Sequence, residues 1–148
     1  MIVVVAPGQG SQTPGFLEPW IADPAHRTRL ERYSEAAGID LVAHGTVSDA
    51  DTIRDTAIAQ PLIVAASLLS AHALLDGRRE RVGAVAGHSV GEFAAAAVAG
   101  VLSDVDAVRL VRERGLAMAD AAAVVPTGMS AVLGGDEDAL AARLMDLG

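Results

Sequence analysis

One stretch at the middle of the chain, Val82-Gly-Ala-Val-Ala-Gly-His-Ser-Val-Gly-Glu92, constrains the fold more than any other. A run of small and β-branched residues predicts a buried strand that stops at Gly87. The chain then passes His88 and Ser89 and enters an Ala-rich helical run after Gly91. Gly87-His88-Ser89-Val90-Gly91 is therefore G-x-S-x-G in a strand-turn-helix setting, where a sharp, strained turn holds a serine hydroxyl up at the end of a sheet. The glycines let neighbouring backbone pass where a Cβ would collide. This reading makes Ser89 a nucleophile. Ser89-Val90-Gly91-Glu92 also fits S-x-x-E, the capping box that starts many helices. A capping box explains the serine and the glutamate, but not glycines on both sides of the serine directly after an apolar strand.

A chain of 148 residues suits one domain with a real core. With 51% hydrophobic and only 3% aromatic residues, that core is made of Ala, Val and Leu. Helices packed closely on a small parallel sheet use such residues. A net charge of −8 argues against nucleic acid and anionic membrane surfaces as main partners. The absence of cysteine excludes disulfides, a thiolate nucleophile and Cys-based metal sites, and the four histidines show no ligand spacing. The amino terminus lacks the basic region of a signal peptide. The longest apolar region, Ala57 to Leu75, is interrupted by Gln60, Pro61, Ser67, Ser70 and His72 and reads as a buried helix, not a membrane span. A cytoplasmic protein is expected.

Ile2 to Ala6 is an unbroken apolar run, as in a strand covered on both faces. The loop after it, Pro7-Gly8-Gln9-Gly10-Ser11-Gln12-Thr13-Pro14, fails the dinucleotide pattern G-x-G-x-x-G at Thr13. It is either a plain turn or a loop whose free N–H groups face a developing negative charge. Pro24 to Ala37 predicts a charged, exposed helix with Leu30 and Ala37 inward, and Asp40 to Arg54 short helical pieces, with His44 in a loop. A central helix is predicted to start at Gln60-Pro61 and run to Leu75, proline being tolerated in a first turn. Gln60 there is a cap or loop contact, or lines a site.

Ser103 and Asp106 form a capping box for a helix from Asp104 to Ala121, on which Arg109 and Glu113 can pair. At about 100° per residue, Arg114 falls about 40° from Leu110 and from Met118, on the apolar stripe. An inward arginine needs an anion or several acceptors. Glu92 is one candidate; a substrate carboxylate, gripped at two points by the planar guanidinium, is the other. Ala119 to Ala123 reads as a loose joint, Thr127 to Gly134 as a strand and Asp136 to Leu147 as an amphipathic helix.

Pro7 to Gln12, Gln60-Pro61, Gly87 to Glu92, and Val111-Arg-Glu-Arg-Gly-Leu-Ala-Met118 occur in this order at plausible spacing. Together they closely resemble the malonyl-CoA:acyl carrier protein transacylases of fatty acid synthesis. The acyltransferase domains of polyketide synthases look similar, and the resemblance covers the whole chain. It implies an α/β fold: an α/β-hydrolase-like core with a short parallel sheet over residues 1–125, and the first strand and helix of a ferredoxin-like subdomain over 126–148. It implies Ser89 as the acylated nucleophile, the backbone N–H groups of Gln9 and Val90 as the oxyanion hole, Arg114 as the clamp on the malonyl carboxylate, and Gln60 lining the site. The implied partners are malonyl-CoA and acyl carrier protein, with no metal and no cofactor beyond the carrier's phosphopantetheine. Family members run to about twice this length, and their general-base histidine lies beyond the arginine, in a G-x-x-H segment this chain does not contain. An amino-terminal portion of a longer protein is therefore expected. The rival readings are a serine esterase or thioesterase on the same elbow, against which Arg114 argues, and a non-catalytic fragment.

Overall fold

The computed structural model describes residues 1–124 and 132–147. Strand β1 (Ile2–Ala6) and strand β2 (Val82–Gly87) pair in parallel, Ala6 opposite Gly87, with an irregularity between Ile2 and Val3. Between them run helices α1 (Glu18–Ile21), α2 (Pro24–Ala37), α3 (Leu41–Thr46) and α4 (Thr56–Leu75), with a 3₁₀ turn at Thr52–Arg54 and another at Arg79–Arg81. After β2 come α5 (Gly91–Val98), α6 (Asp104–Val124) and α7 (Glu137–Asp146). A parallel pair needs such a long crossover, since a tight turn cannot reverse the chain between parallel strands. The α/β class with a short parallel sheet and surrounding helices is as the sequence predicts.

The core lies among the helices. Leu62, Ile63, Val64, Leu68 and Leu69 of α4 pack with Leu30 and Tyr33 of α2, Ala94 and Ala97 of α5, and Ala107, Val108 and Val111 of α6. Among the described residues helix α4 alone is apolar and long enough to cross a membrane, but 61% of its apolar window is buried inside the protein. The charged face of α2 is exposed, and Leu30 and Ala37 are buried as expected, joined by Tyr33.

Several expectations need correction. Helix α4 begins at Thr56, where the Asp55 carboxylate caps Ala57 N–H, so Pro61 stands inside it. A proline has no N–H to donate to the carbonyl four residues back. That carbonyl, on Ala57, accepts instead from Arg112 of α6 at 2.6 Å. The helix tolerates Pro61 because a neighbouring helix supplies the missing donor. The strands are not covered on both faces: Val3 and Val5 are 53% and 70% exposed, and β2 has no buried residue. Only two strands pair among the described residues, which leaves the sheet too narrow to shelter either.

His44 lies within α3, bonded to Ser48 Oγ at 3.0 Å, and the Ala-rich stretch from 119 continues α6 to Val124. Arg109 pairs with Asp106, not Glu113. Only half of the Ser103–Asp106 capping box forms: Asp106 N–H donates to Ser103 Oγ, but Asp106 Oδ2 accepts from the Ser103 hydroxyl in place of its backbone N–H. The predicted strand from Thr127 lies mostly outside the described residues. Helix α7, capped by Asp136, lies where an amphipathic helix is expected.

Candidate active site

The elbow is built by close packing. A Cβ on Gly87 would meet the backbone of Gly91 and Glu92, and one on Gly91 would meet Ala6 O, with Pro7 O at 2.7 Å. Both glycines are therefore needed for the strand end, the turn and the helix start to occupy one place. Between them Ser89 has φ 55, in the left-handed region that a serine seldom adopts. His88 N–H donates to Ala6 O, tying the turn to the end of β1, and the His88 ring lies against Gly8. The loop after β1 thus borders the serine turn.

The capping-box alternative does not form. Glu92 N–H donates to the Ser89 carbonyl, and α5 has no side-chain cap. The hydroxyl is left exposed, and its partner is Arg114, whose NH2 donates to Ser89 Oγ at 3.2 Å. The same guanidinium donates through NH1 to Gln60 Oε1 at 2.7 Å. Among the described residues Glu92 makes no ion pair with Arg114, so the internal salt bridge is not what holds it.

Arg114 is positioned by the crossing of α6 over the first turns of α4. Gly115 brings the helices close: a Cβ there would lie 3.1 Å from Thr56 O and 3.2 Å from Ala57 Cα. Arg112 anchors the same crossing through Ala57 O. The stripe needs one correction. The buried line of α6 is Ala107, Val108, Val111 and Gly115, while Leu110 and Met118 are partly exposed. Arg114 stands between that line and the open side, which lets its charge stay near water while its head reaches the serine.

Gln60 is the one fully buried polar side chain among the described residues. Its Oε1 holds Arg114, and its Nε2 faces Met118 Sδ at 3.2 Å. The glycine loop is braced on the segment before α4: Gln12 Nε2 donates to Ile53 O at 2.9 Å, and Gln9 Nε2 lies 3.4 Å from Thr56 Oγ1. The backbone N–H groups of Gln9 and Val90 donate to no other group among the described residues. Ser89, Arg114 and Gln60, each singled out in the sequence, stand together in one hydrogen-bonded chain. Sequence reasoning missed Arg112, for which Pro61 was the signal, and Met118, which it assigned to the stripe.

No histidine among the described residues is bonded to Ser89. His72 Nε2 lies 2.6 Å from Asp104 Oδ2, and the His26 ring meets the Trp20 ring at a tilt of 60°. Among the described residues no group of three His, Cys, Asp or Glu side chains could hold a metal.

Similar proteins give this geometry its setting. Residues 3–146 match the family model of the acyl transferase domain. A malonyl CoA-acyl carrier protein transacylase of Mycobacterium tuberculosis is 53% identical over 150 residues, 99% of this chain and 49% of that protein. The crystal structure of MCAT from the same organism superposes with a TM-score of 0.92 at 51% identity, over 99% of this chain and 49% of that one. A malonyl-transacylase solved in complex with its type II PKS acyl-carrier protein superposes at 0.83 with 30% identity, over 97% of this chain and 47% of that one. The chain thus spans about half the length of the relatives it matches. With a serine elbow, a bordering glycine loop and an arginine at the hydroxyl on one side of an α/β core, and with the family match running almost from end to end, the chain belongs to the acyl transferase domain family.

Proposed function

We propose that the chain is the amino-terminal portion of a malonyl-CoA:acyl carrier protein transacylase, a cytoplasmic enzyme of fatty acid or polyketide synthesis. The observation that carries this is Arg114 NH2 at 3.2 Å from Ser89 Oγ, a fixed cation beside a hydroxyl on a strained elbow. An esterase has no evident need of that cation, whereas a malonyl thioester ends in a carboxylate that a guanidinium grips at two points.

Ser89 Oγ attacks the thioester carbonyl, the C–S bond breaks, and CoA leaves as the thiol, giving a serine-bound malonyl ester. The phosphopantetheine thiol of the carrier protein then attacks the ester, and Ser89 regains its proton. This is a ping-pong course through a covalent intermediate. Each tetrahedral intermediate carries an oxyanion. The unengaged N–H groups of Gln9 and Val90 are suited to receive it, the second being the residue after the elbow serine. Gln60 holds Arg114 from behind. The reading calls for no cofactor in this chain and assigns the general base to a histidine outside it. The relative solved with its acyl-carrier protein supports the choice of acceptor.

The test is intact-mass measurement of the full-length enzyme after mixing with malonyl-CoA. The unsubstituted enzyme gains one malonyl group, and Ser89→Ala gains none while keeping its fold. A Ser89→Ala protein that is still malonylated refutes the assignment of the nucleophile.

A further inference from the structure

We propose that Met118 is a positioning residue for Arg114, acting through the buried amide of Gln60; this rests on the transacylase reading. A guanidinium only donates, so the short contact with Arg114 NH1 fixes the carbonyl end of the amide. The amide N–H group must then face Met118 Sδ, 3.2 Å away. Arg114 and Met118 stand four residues apart on α6, one turn, so a single helix grips both ends of a side chain from α4. Gln60 is 0% exposed and Met118 is 42% exposed, so the grip lies at the boundary of core and solvent.

The sulfur suits this place because it is a weak acceptor with no charge. It answers the buried N–H without competing for the guanidinium. A carboxylate at position 118 would sit one turn from Arg114 and pair with it, taking the charge intended for substrate. An alkyl side chain would leave the amide N–H unanswered, and a buried unpaired donor favours rotation of Gln60 towards water. Arg114 would then lose its 2.7 Å anchor and, with it, the direction of NH2 towards Ser89. The damage falls on recognition of a carboxylate-bearing acyl group.

The experiment compares unsubstituted, Met118→Leu and Met118→Glu forms of the full-length enzyme, with malonyl-CoA and acetyl-CoA as donors and melting temperature as the control for folding. In Met118→Leu the malonyl-to-acetyl ratio of kcat/KM falls about five- to tenfold, mainly through KM for malonyl-CoA. In Met118→Glu it falls further. An unchanged ratio in a folded Met118→Leu enzyme overturns the proposal, even if Met118→Glu fails to fold. Failure of the unsubstituted enzyme to load malonyl at Ser89 would instead strike the transacylase reading. The side-chain amide protons of Gln60, followed by NMR, then decide for Met118: faster exchange in Met118→Leu supports its role, and unchanged exchange overturns it.

Discussion

In the proposed transacylase Arg114 couples recognition to chemistry, because its two terminal nitrogens face different ways, NH1 to Gln60 and NH2 to Ser89. Only an acyl group with a carboxylate can use the outward charge. Arg114→Ala in the full-length enzyme therefore lowers kcat/KM for malonyl-CoA far more than for acetyl-CoA, by about 2–5 kcal/mol for the former. Equal losses with both donors would make Arg114 a structural residue. At this scale much was legible in the sequence. G-x-S-x-G after an apolar run specifies the elbow because both glycines meet backbone, a constraint that survives any choice of outer side chain. Arg114 was legible as a charge near an apolar stripe, though its partners were not: helical angle gives a direction, and only the crossing of α4 and α6 decides between Gln60 and Glu92. Met118 was hidden because a methionine at helical spacing reads as core.

The joint between α4 and α6 is where reading element boundaries failed, and the reason is local. The sequence pattern places Pro61 in the first helical turn, because a proline within a helix orphans a carbonyl. Here Arg112 supplies that carbonyl with a donor from a helix about fifty residues later. Arg112→Ala should cost about 1–3 kcal/mol in denaturant unfolding, since Ala57 O is left unpaired. Pro61→Ala restores an intrahelical N–H to that carbonyl, so the double variant should lose less than Arg112→Ala alone; equal losses would show that Arg112 acts by packing only. At the other end of the same helices, Tyr33 Oη donates to Asp104 Oδ2 at 2.7 Å and His72 Nε2 approaches it at 2.6 Å, with Arg29 3.8 Å away. A ring nitrogen that close to a carboxylate must carry its proton, so Arg29, which also only donates, acts beside His72 as a charge. Burial alone would raise the Asp104 pKa, but the hydrogen bonds from His72 and Tyr33 and the His72 and Arg29 charges outweigh it and hold it below the usual carboxylate value. Burial and the bond to Asp104 push the Tyr33 hydroxyl upward, which keeps it a donor. A depressed folded pKa gives stability that is present above the unfolded value, about 3.9, and lost as pH falls through the folded one. The melting temperature should therefore drop below about pH 4 more steeply in the unsubstituted protein than in Asp104→Asn. Parallel acid profiles would remove Asp104 from that role.

At the scale of the whole molecule, the fold class was legible because helix and strand periods are local properties, whereas strand burial was not, because it depends on what lies beside the sheet. Val3 and Val5 carry the composition of a covered strand and are open to solvent. Among the described residues no further strand covers the edges of the two-stranded sheet, and an exposed apolar edge invites pairing with another chain. The same holds for chemistry. A serine hydroxyl is a weak nucleophile until a base within about 2.6–3.2 Å takes its proton. His72 is committed to Asp104, His44 to Ser48 and His26 to the Trp20 ring, while the His88 ring lies on Gly8. Arg114, the one side chain bonded to Ser89 among the described residues, is a donor and cannot accept the proton. Residues 1–148 expressed alone are therefore expected to bring substrate recognition and nucleophile together without the means to activate it, and to associate through the open sheet. With malonyl-CoA they should release no CoA and gain no malonyl mass, and size-exclusion chromatography should give a species larger than the 15.1 kDa monomer. Steady CoA release that disappears in a Ser89→Ala control would mean that one of these four histidines leaves its present partner to serve as the base.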